Sequence, residues 1–332
     1  MVGRRVRAED VAEKAGVSRS TVSRVFTPGR KVHHATRLRI LKAAKELDYQ
    51  PNALAQALIS KRSQIVGVLM GELTNPIHAA LHQTLGRSLQ ERGLIPISAH
   101  LVPGEGPEDF ISMFRQYQVG TVVLTSLDVN PDLMQALRDE GLDVVLLNRI
   151  DDEGSMSAIC ADMMQGGRLA ARHLIERGCK RIGICEGAKG SWTSRARLEG
   201  HVFGLNSAGL TPVFASYGGY TYEAGSEIAD RIGNKDLPMP DGLLCPNDLF
   251  AIGLMDRLRL DFGILIPDDI AVVGFDDIPM AEWESNALTT VRLPIRRMAE
   301  RAADTIARHF DGHDAMDETL WIPCRLVARS SA

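Results

Sequence analysis

The sequence predicts a multidomain protein: a small all-α head of helix-turn-helix type, followed by a larger two-lobed α/β body with parallel sheets. Three observations predict it. Residues 8–27 hold two short helical patterns separated by a glycine. Charge is divided along the chain: residues 1–64 carry 14 Lys+Arg against 5 Asp+Glu, and the rest carry 24 against 37. A net of +9 thus precedes a net of −13 in a chain whose total is −4. From residue 65 onward, apolar runs of strand length alternate with helical stretches. At 332 residues the chain can hold two or three domains and a substantial core.

In the head, Val11, Ala12 and Ala15 share one face of a first helix. Gly16 ends it, because the turn that follows needs a left-handed residue. Ser18 is placed to cap a second helix that turns Arg19, Ser20, Ser23 and Arg24 outward and Val22 and Val25 inward. Two short helices joined in this way, the second rich in hydrogen-bonding side chains, suit the major groove of double-stranded DNA. A helical hairpin with a solvated polar face is the other reading. The coincidence of the motif with the basic segment favours nucleic acid. A third helix is predicted over 34–47, with Ile40, Leu41, Ala44 and Leu47 at helical spacing.

Pro51 disfavours continuation of that helix. Residues 52–58 are good helix formers but span only two turns, too few for a stable isolated helix. Such a segment orders when a partner offsets its entropy, and DNA together with a second copy of the chain would serve.

In the body, strands are predicted over 65–70, 95–99, 121–125, 144–147, 158–160, 181–185, 242–245 and 270–274. Helices are predicted over 77–92, 108–117, 131–140, 166–177, 196–208, 222–231 and 248–258. Buried strands alternating with helices mean parallel sheets covered on both faces, and the number of units calls for two lobes. Ligands then bind at the carboxyl ends of the strands, facing a cleft.

The five cysteines show no metal-ligand spacing and fit buried thiols in a reducing cytoplasm. No metal or cofactor is expected. The basic N-terminus has no apolar run behind it, so no secretion signal is read there, and no segment is apolar for long enough to span a membrane. No nucleophile elbow, phosphate-binding loop or dinucleotide fingerprint is present, so an enzyme is not expected. Asp276 and Asp277 imitate a catalytic pair, but neighbours on a strand point to opposite faces.

Seven stretches carry a family resemblance: Asp10-Val-Ala-Glu-Lys-Ala-Gly-Val-Ser, Thr21-Val-Ser-Arg-Val, Leu47-Asp-Tyr-Gln-Pro-Asn, Gly166-Gly-Arg-Leu-Ala, Arg197-Leu-Glu-Gly, Pro246-Asn-Asp and Pro267-Asp-Asp-Ile-Ala-Val-Val-Gly-Phe-Asp-Asp. In this order the chain resembles the lactose-repressor (LacI) family of bacterial transcription regulators along essentially its whole length. The resemblance implies a homodimer on a pseudo-palindromic operator, most often as a repressor. It also implies control by a small carbohydrate-like effector held in a body like that of a periplasmic sugar-binding protein. It implies a head over 1–50, a hinge helix and linker over 51–63, and an effector-binding and dimerisation domain over 64–332. Lobe 1 would hold about 64–162 plus 292–318, and lobe 2 about 163–290 plus 319–332.

By the same resemblance, Arg19 and Ser20 carry sequence preference, and an arginine can hold guanine O6 and N7 together. Thr21 and Ser23 position the helix on phosphates together with the backbone at Ser18, and Arg24 contacts base or phosphate. Leu58 reads as core from its pattern alone; the resemblance makes it a minor-groove wedge, with Asn52 and Ala55 lining the same face.

For the effector, the resemblance places Arg197 and Asp276 on the ligand. Asn247 can offer both a donor and an acceptor, Trp192 and Phe275 can stack on a sugar face, although Phe275 equally fits core packing, and Asp162 and Gln165 lie at the lobe crossing. Asp248 is expected to cap the helix that follows it. Arg149 near the cleft, with Arg197, points to a sugar acid or sugar phosphate, although Arg149 also fits a salt bridge.

Three departures from the family pattern stand out. Arg7 and His33 replace the usual capping Thr and Ser, and Asn75-Pro76-Ile77-His78 replaces Asn-Pro-Phe-Phe. Asp10 and His34 can take over the caps. His78 becomes a polar ligand contact or part of the dimer interface. A solute-binding protein is the rival from another class; the basic head argues against it.

Overall fold

The computed structural model describes residues 6–26, 30–49, 64–71, 73–101, 108–125, 131–150, 156–311 and 319–332. The hinge residues Asn52, Ala55 and Leu58 lie outside them.

Three helices make the head: α1 (Ala8–Ala15), α2 (Arg19–Phe26) and α3 (His34–Glu46). Val11, Val22, Val25 and Ile40 fill its centre, with Ala12, Ala15, Ala43 and Ala44 around them. Phe26 and Tyr49 meet edge-on at 5.8 Å between ring centroids. Gly16 adopts φ +63° and its N–H returns to the carbonyls of Ala12 and Glu13, ending α1 as expected. Ser18 Oγ accepts from Thr21 N at 3.3 Å, so it does cap α2. Arg7 has no acceptor to offer α1; the Asp10 carboxylate instead accepts from the Arg7 N–H at 2.7 Å. His33 makes no side-chain bond to α3. Leu41 is 38% exposed rather than in the core, and Ala43 takes that face. The 3.6-residue period turns position 41 about 100° away from Ile40.

The body runs β1 (Ile65–Met70), α4 (Pro76–Glu91), β2 (Ile95–His100), α5 (Glu108–Gln116), β3 (Thr121–Thr125), α6 (Pro131–Asp139), β4 (Asp143–Leu147) and β5 (Ser157–Ala161). It continues through α7 (Met163–Arg177), β6 (Ile182–Glu186), α8 (Trp192–Ser207), β7 (Phe214–Tyr217), α9 (Tyr222–Gly233), β8 (Gly242–Leu244), α10 (Asp248–Phe262) and β9 (Ala271–Asp276). After a 3-10 turn at Pro279–Glu282 come β10 (Thr289–Arg292), α11 (Ile295–Phe310), β11 (Thr319–Ile322) and β12 (Arg325–Val327).

Two six-stranded sheets result, ordered β11-β5-β4-β3-β1-β2 and β12-β10-β9-β8-β6-β7. Their pairings are parallel except β10 with β12. Each sheet reverses direction of growth once, at β1/β3 and at β6/β8. In open parallel sheets that reversal leaves a crevice at the carboxyl strand ends. Central strands such as β1, β3 and β6 are buried throughout, whereas β2 lies at an edge, partly exposed, and tolerates Pro96 there.

The chain passes between the sheets at 161–163, 292–295 and 322–325. This corrects one boundary. The resemblance implies that residues 319–332 belong together to the second lobe, but β11 pairs with β5 in the first sheet, Thr319 opposite Ala158 and Ile322 opposite Ala161. Pairing partners are chosen in space, and local pattern does not reveal which sheet an edge strand joins. Pattern also gives no strand for β7, β10, β11 or β12 and no helix for α11, and it starts α7 and α8 several residues late.

Candidate DNA interface and effector site

On the head, Ser18, Arg19, Ser20 and Arg24 are exposed, while Thr21 and Ser23 are half-buried. Ser18 Oγ lies 2.9 Å from Ser20 Oγ and 2.8 Å from Thr21 Oγ1, so three hydroxyls gather at the start of α2. Unsatisfied backbone N–H groups and the positive end of the helix dipole meet there, a setting that suits phosphate. Arg19 pairs with Glu9 at 3.1 Å on an open surface. A pair so exposed is weak and leaves the guanidinium available to a stronger acceptor.

In the body, β9 ends on Asp276 at φ +114°, and Asp277 follows at φ +61°. Consecutive positive-φ residues without glycine are costly and persist where the surroundings enforce them. The two side chains then part. Asp277 is held by Arg292 and, at 2.7 Å, by Arg329. Asp276 faces the other lobe and accepts from Asn75 Nδ2 at 3.2 Å. Burial pushes the Asp276 carboxyl up to about 6, against the opposing pull of the Arg197 charge and the Asn75 hydrogen bond.

Arg197 sits in the second turn of α8, because that helix begins at Trp192 rather than at 196. Its position is set by glycines. A Cβ on Gly167 would lie 2.5 Å from the Arg197 carbonyl, and one on Gly200 would lie 2.2 Å from the Met164 carbonyl. Only glycine at both positions lets α7 and α8 touch backbone to backbone. The Arg197 guanidinium donates to the Pro246 carbonyl and lies over Phe275, with Cζ 4.2 Å from the ring centroid. Arg197 is 5% exposed and its Nε has no partner.

Other sequence-derived residues have different placements. Phe275 is fully buried beneath Arg197 and against Gly166, so its ring serves packing rather than an open stacking face. Asn247 has both ends of its amide engaged: Oδ1 accepts from Phe250 N at 3.0 Å and Nδ2 donates to the Tyr220 carbonyl at 2.9 Å. It is Asn247 that caps α10, correcting the expectation for Asp248. The Asp248 carboxylate instead accepts from Ile278 N at 2.8 Å and from the Thr290 hydroxyl. Burial, then the Asp276 charge, raises Asp248 well above the usual carboxylate range.

Asp162 caps α7 through Gln165 N at 2.8 Å, and the Gln165 side chain accepts from Cys324 N at 3.0 Å. The Asp162 N–H also donates to the Ile322 carbonyl at 2.9 Å, so both residues tie the 161–163 crossing to the 322–325 crossing. Trp192 stacks on Trp321 with centroids 5.6 Å apart, bringing a ring from each lobe into contact. Arg149 follows β4 and is half-buried, and its carbonyl accepts from Cys160 Sγ at 3.0 Å.

Asn75, Phe275, Asp276 and Arg197 thus form one cluster between the sheets. Asn75 and His201 were not singled out as site residues from sequence. The spacing of His201, four residues after Arg197, was the available signal. All five cysteines are buried and unbridged. No group of metal-ligating side chains occurs among the described residues, and no described helix is long and apolar enough to cross a membrane.

Comparison with known proteins follows the same division. Residues 8–52 match the family of bacterial regulatory proteins, lacI family, and residues 171–332 match a periplasmic binding protein-like domain. The chain is 30% identical over 338 residues to the HTH-type transcriptional regulator MalR of Streptomyces coelicolor, covering 98% of this chain and 96% of that one. Its fold is similar to that of a lac repressor dimer bound to operator and the anti-inducer ONPF, with TM-score 0.85, 25% identity and 99% coverage of both chains. It is also similar to the transcriptional regulator CelR in complex with cellobiose, with TM-score 0.75, 30% identity and coverage of 99% and 100%. A basic three-helix head, two sheets joined by three crossings, and these whole-length likenesses lead to one conclusion: the chain belongs to the lacI family of bacterial regulatory proteins.

Proposed function

We propose that this chain is a sequence-specific transcriptional repressor of the cytoplasm, with no catalytic activity of its own. In this reading it binds a pseudo-palindromic operator in double-stranded DNA as a homodimer, and a small carbohydrate-derived effector in the interlobe cleft controls it. The observation that carries the reading is the Asn75–Asp276 bond beside the buried Arg197. It puts a donor and acceptor cluster at the contact between lobes, where a ligand group would compete with a closure bond.

The mechanism follows from linkage. An effector that engages Asp276 and Arg197 favours one lobe arrangement over another. It changes DNA binding only by its differential affinity for those arrangements. The proposed reader is α2, with Arg19 on base edges and Ser18, Ser20, Thr21, Ser23 and Arg24 near backbone and bases. Asn52, Ala55 and Leu58 are proposed for the minor groove, with Leu58 as the wedge.

A neutral, hydroxyl-rich ligand suits the cluster, because Arg197 donates where Asp276 accepts. A sugar acid or sugar phosphate is the second reading, favoured by Arg149 beside the cleft. Selection of bound DNA from a random pool, with wild type and Leu58→Ala in parallel, tests the proposal. Recovery of a two-fold symmetric site whose binding collapses in the variant is the expected result. Enrichment of generic DNA alone, with and without carbohydrates, would overturn it.

A further inference from the structure

Behind Arg197, between α8 and the end of β6, lies a pocket walled by Glu186, Gly187, Ser194, Arg197, His201 and Pro246. It sits at the β6/β8 reversal, at the carboxyl ends of the strands. His201 is one helical turn deeper than Arg197 and 2% exposed. Its Nε2 is buried with no hydrogen-bond partner, and so is the Nε of Arg197. Buried polar nitrogens are nearly always paired by protein, water or ligand, and this pocket of about 10 Å³ has room for one hydroxyl-sized group to pair these two. Burial, reinforced by the Arg197 charge, holds the His201 imidazole down at about 3, so the ring is neutral and one nitrogen can accept.

The remaining walls narrow the ligand chemistry. Glu186 is 7% exposed and contributes a carboxylate, which takes a hydrogen bond from Tyr217. Ser194 contributes a buried hydroxyl. A ligand carboxylate or phosphate entering here would meet the Glu186 charge. A hydroxyl, which both donates and accepts, matches an arginine donor beside a neutral imidazole and a carboxylate.

We propose that His201 is a specificity-determining residue of the effector site, and that its Nε2 and the Nε of Arg197 together take one terminal hydroxyl of a neutral carbohydrate. This inference rests on the reading of the cleft as the effector site. The pairing is selective because a site built around a hydroxyl leaves its own buried groups unpaired when the ligand lacks it.

Calorimetric titration of the full chain tests the inference, with glucose, ribose, galactose, cellobiose, glucuronate, galacturonate and glucose 6-phosphate as probes. Wild type, His201→Gln, His201→Phe and Arg197→Ala are compared, each checked for folding by thermal melting. A neutral sugar is expected to bind wild type, with affinity reduced about tenfold or more in His201→Phe and kept within about threefold in His201→Gln. A deoxy analogue of that sugar lacking the terminal hydroxyl should bind wild type at least about tenfold more weakly. In His201→Phe the deoxy and parent sugars should bind alike, an outcome that a purely structural role would not produce. If His201→Phe does not fold, His201→Ala carries the same comparison. Unchanged affinity in His201→Phe with loss in Arg197→Ala overturns the role of His201 and leaves the effector site standing. Unchanged affinity in Arg197→Ala overturns the effector-site reading itself. Binding of the acids or phosphate alone, or of no probe, overturns the neutral-carbohydrate class.

Discussion

Asn75 uses both ends of one amide. Its oxygen accepts from the Ile77 N–H at 3.1 Å, capping α4, and its nitrogen donates to the Asp276 carboxylate at 3.2 Å. The first bond is local to one lobe and the second reaches the other. The start of α4 and the end of β9 are thereby coupled through a single side chain, at the place where the lobes meet.

Replacing Asn75 separates the two bonds. Asn75→Ala removes both and should lower stability by about 1–3 kcal/mol in urea unfolding. Asn75→Ser keeps a capping oxygen but cannot span to Asp276, and should lose about half as much. Equal losses in the two variants would show that the capping bond contributes nothing, and no loss in Asn75→Ser would show the same of the bond to Asp276.

The elevated Asp276 carboxyl has a signature in the pH dependence of stability. Its folded value is about 6 against an ordinary 3.8, so between those values the native state holds a proton that the unfolded chain has released. The Asp276 contribution to stability should therefore fall as pH rises from about 4 to about 6, by up to about 1.4 kcal/mol per unit, and is read as the difference between wild type and Asp276→Asn. Asp276→Asn should remove that slope and be the more stable protein at pH 7, while losing effector affinity. Parallel slopes for both proteins in urea titrations would count against the buried carboxyl.

His201 works in the opposite sense. Its folded value of about 3 lies below the ordinary 6.5, so on acidification the unfolded chain takes up the proton first. The His201 contribution should be full above about 6.5 and decline as pH falls below it. His201→Gln should remove that contribution, so that between about pH 6.5 and 4 the variant gains stability relative to wild type on acidification and the opposite slope of Asp276 is uncovered. Denaturant midpoints measured across that range decide the matter.

The contact between α7 and α8 predicts a steep response to one added methyl. Gly200→Ala and Gly167→Ala should each cost about 1–3 kcal/mol or more, because the Cβ meets backbone that cannot give way. Both should also weaken effector binding by displacing Arg197. Gly86→Ala, in the interior of α4 with open space around it, should instead gain about 0.5–1 kcal/mol. Thermal or urea melts of the three variants provide the contrast.

On DNA, Arg19→Ala should weaken binding to the selected operator by about 1–3 kcal/mol and relax preference at one base position per half-site. Glu9→Gln, which frees the same guanidinium, should leave stability nearly unchanged. Fluorescence anisotropy with matched and mismatched operators reads both effects, and a uniform loss across sequences would assign Arg19 to phosphate.

The sequence by itself determined the head almost completely. Gly16, Ser18 and the faces of α1 and α2 follow from spacing, because a short helix-turn-helix is governed by contacts between residues close in the chain. It also determined the two-lobed parallel architecture, since buried strands and covering helices leave different periodicities, and the resemblance pointed to Arg197 and Asp276.

Tertiary structure alone decided the rest. The sheet that β11 joins, the bonds of Asp162 to Ile322 and of Gln165 to Cys324, the engagement of Asp248 by Ile278 and Thr290, and the union of Asn75 with Asp276 all depend on partners far away in sequence. So do the burial of Phe275 beneath Arg197 and the unpaired His201 in its pocket. Local pattern records which way a side chain faces on its own helix or strand. Whether that face meets solvent, another backbone or a second polar group is settled only when the chain crosses between the lobes and folds back.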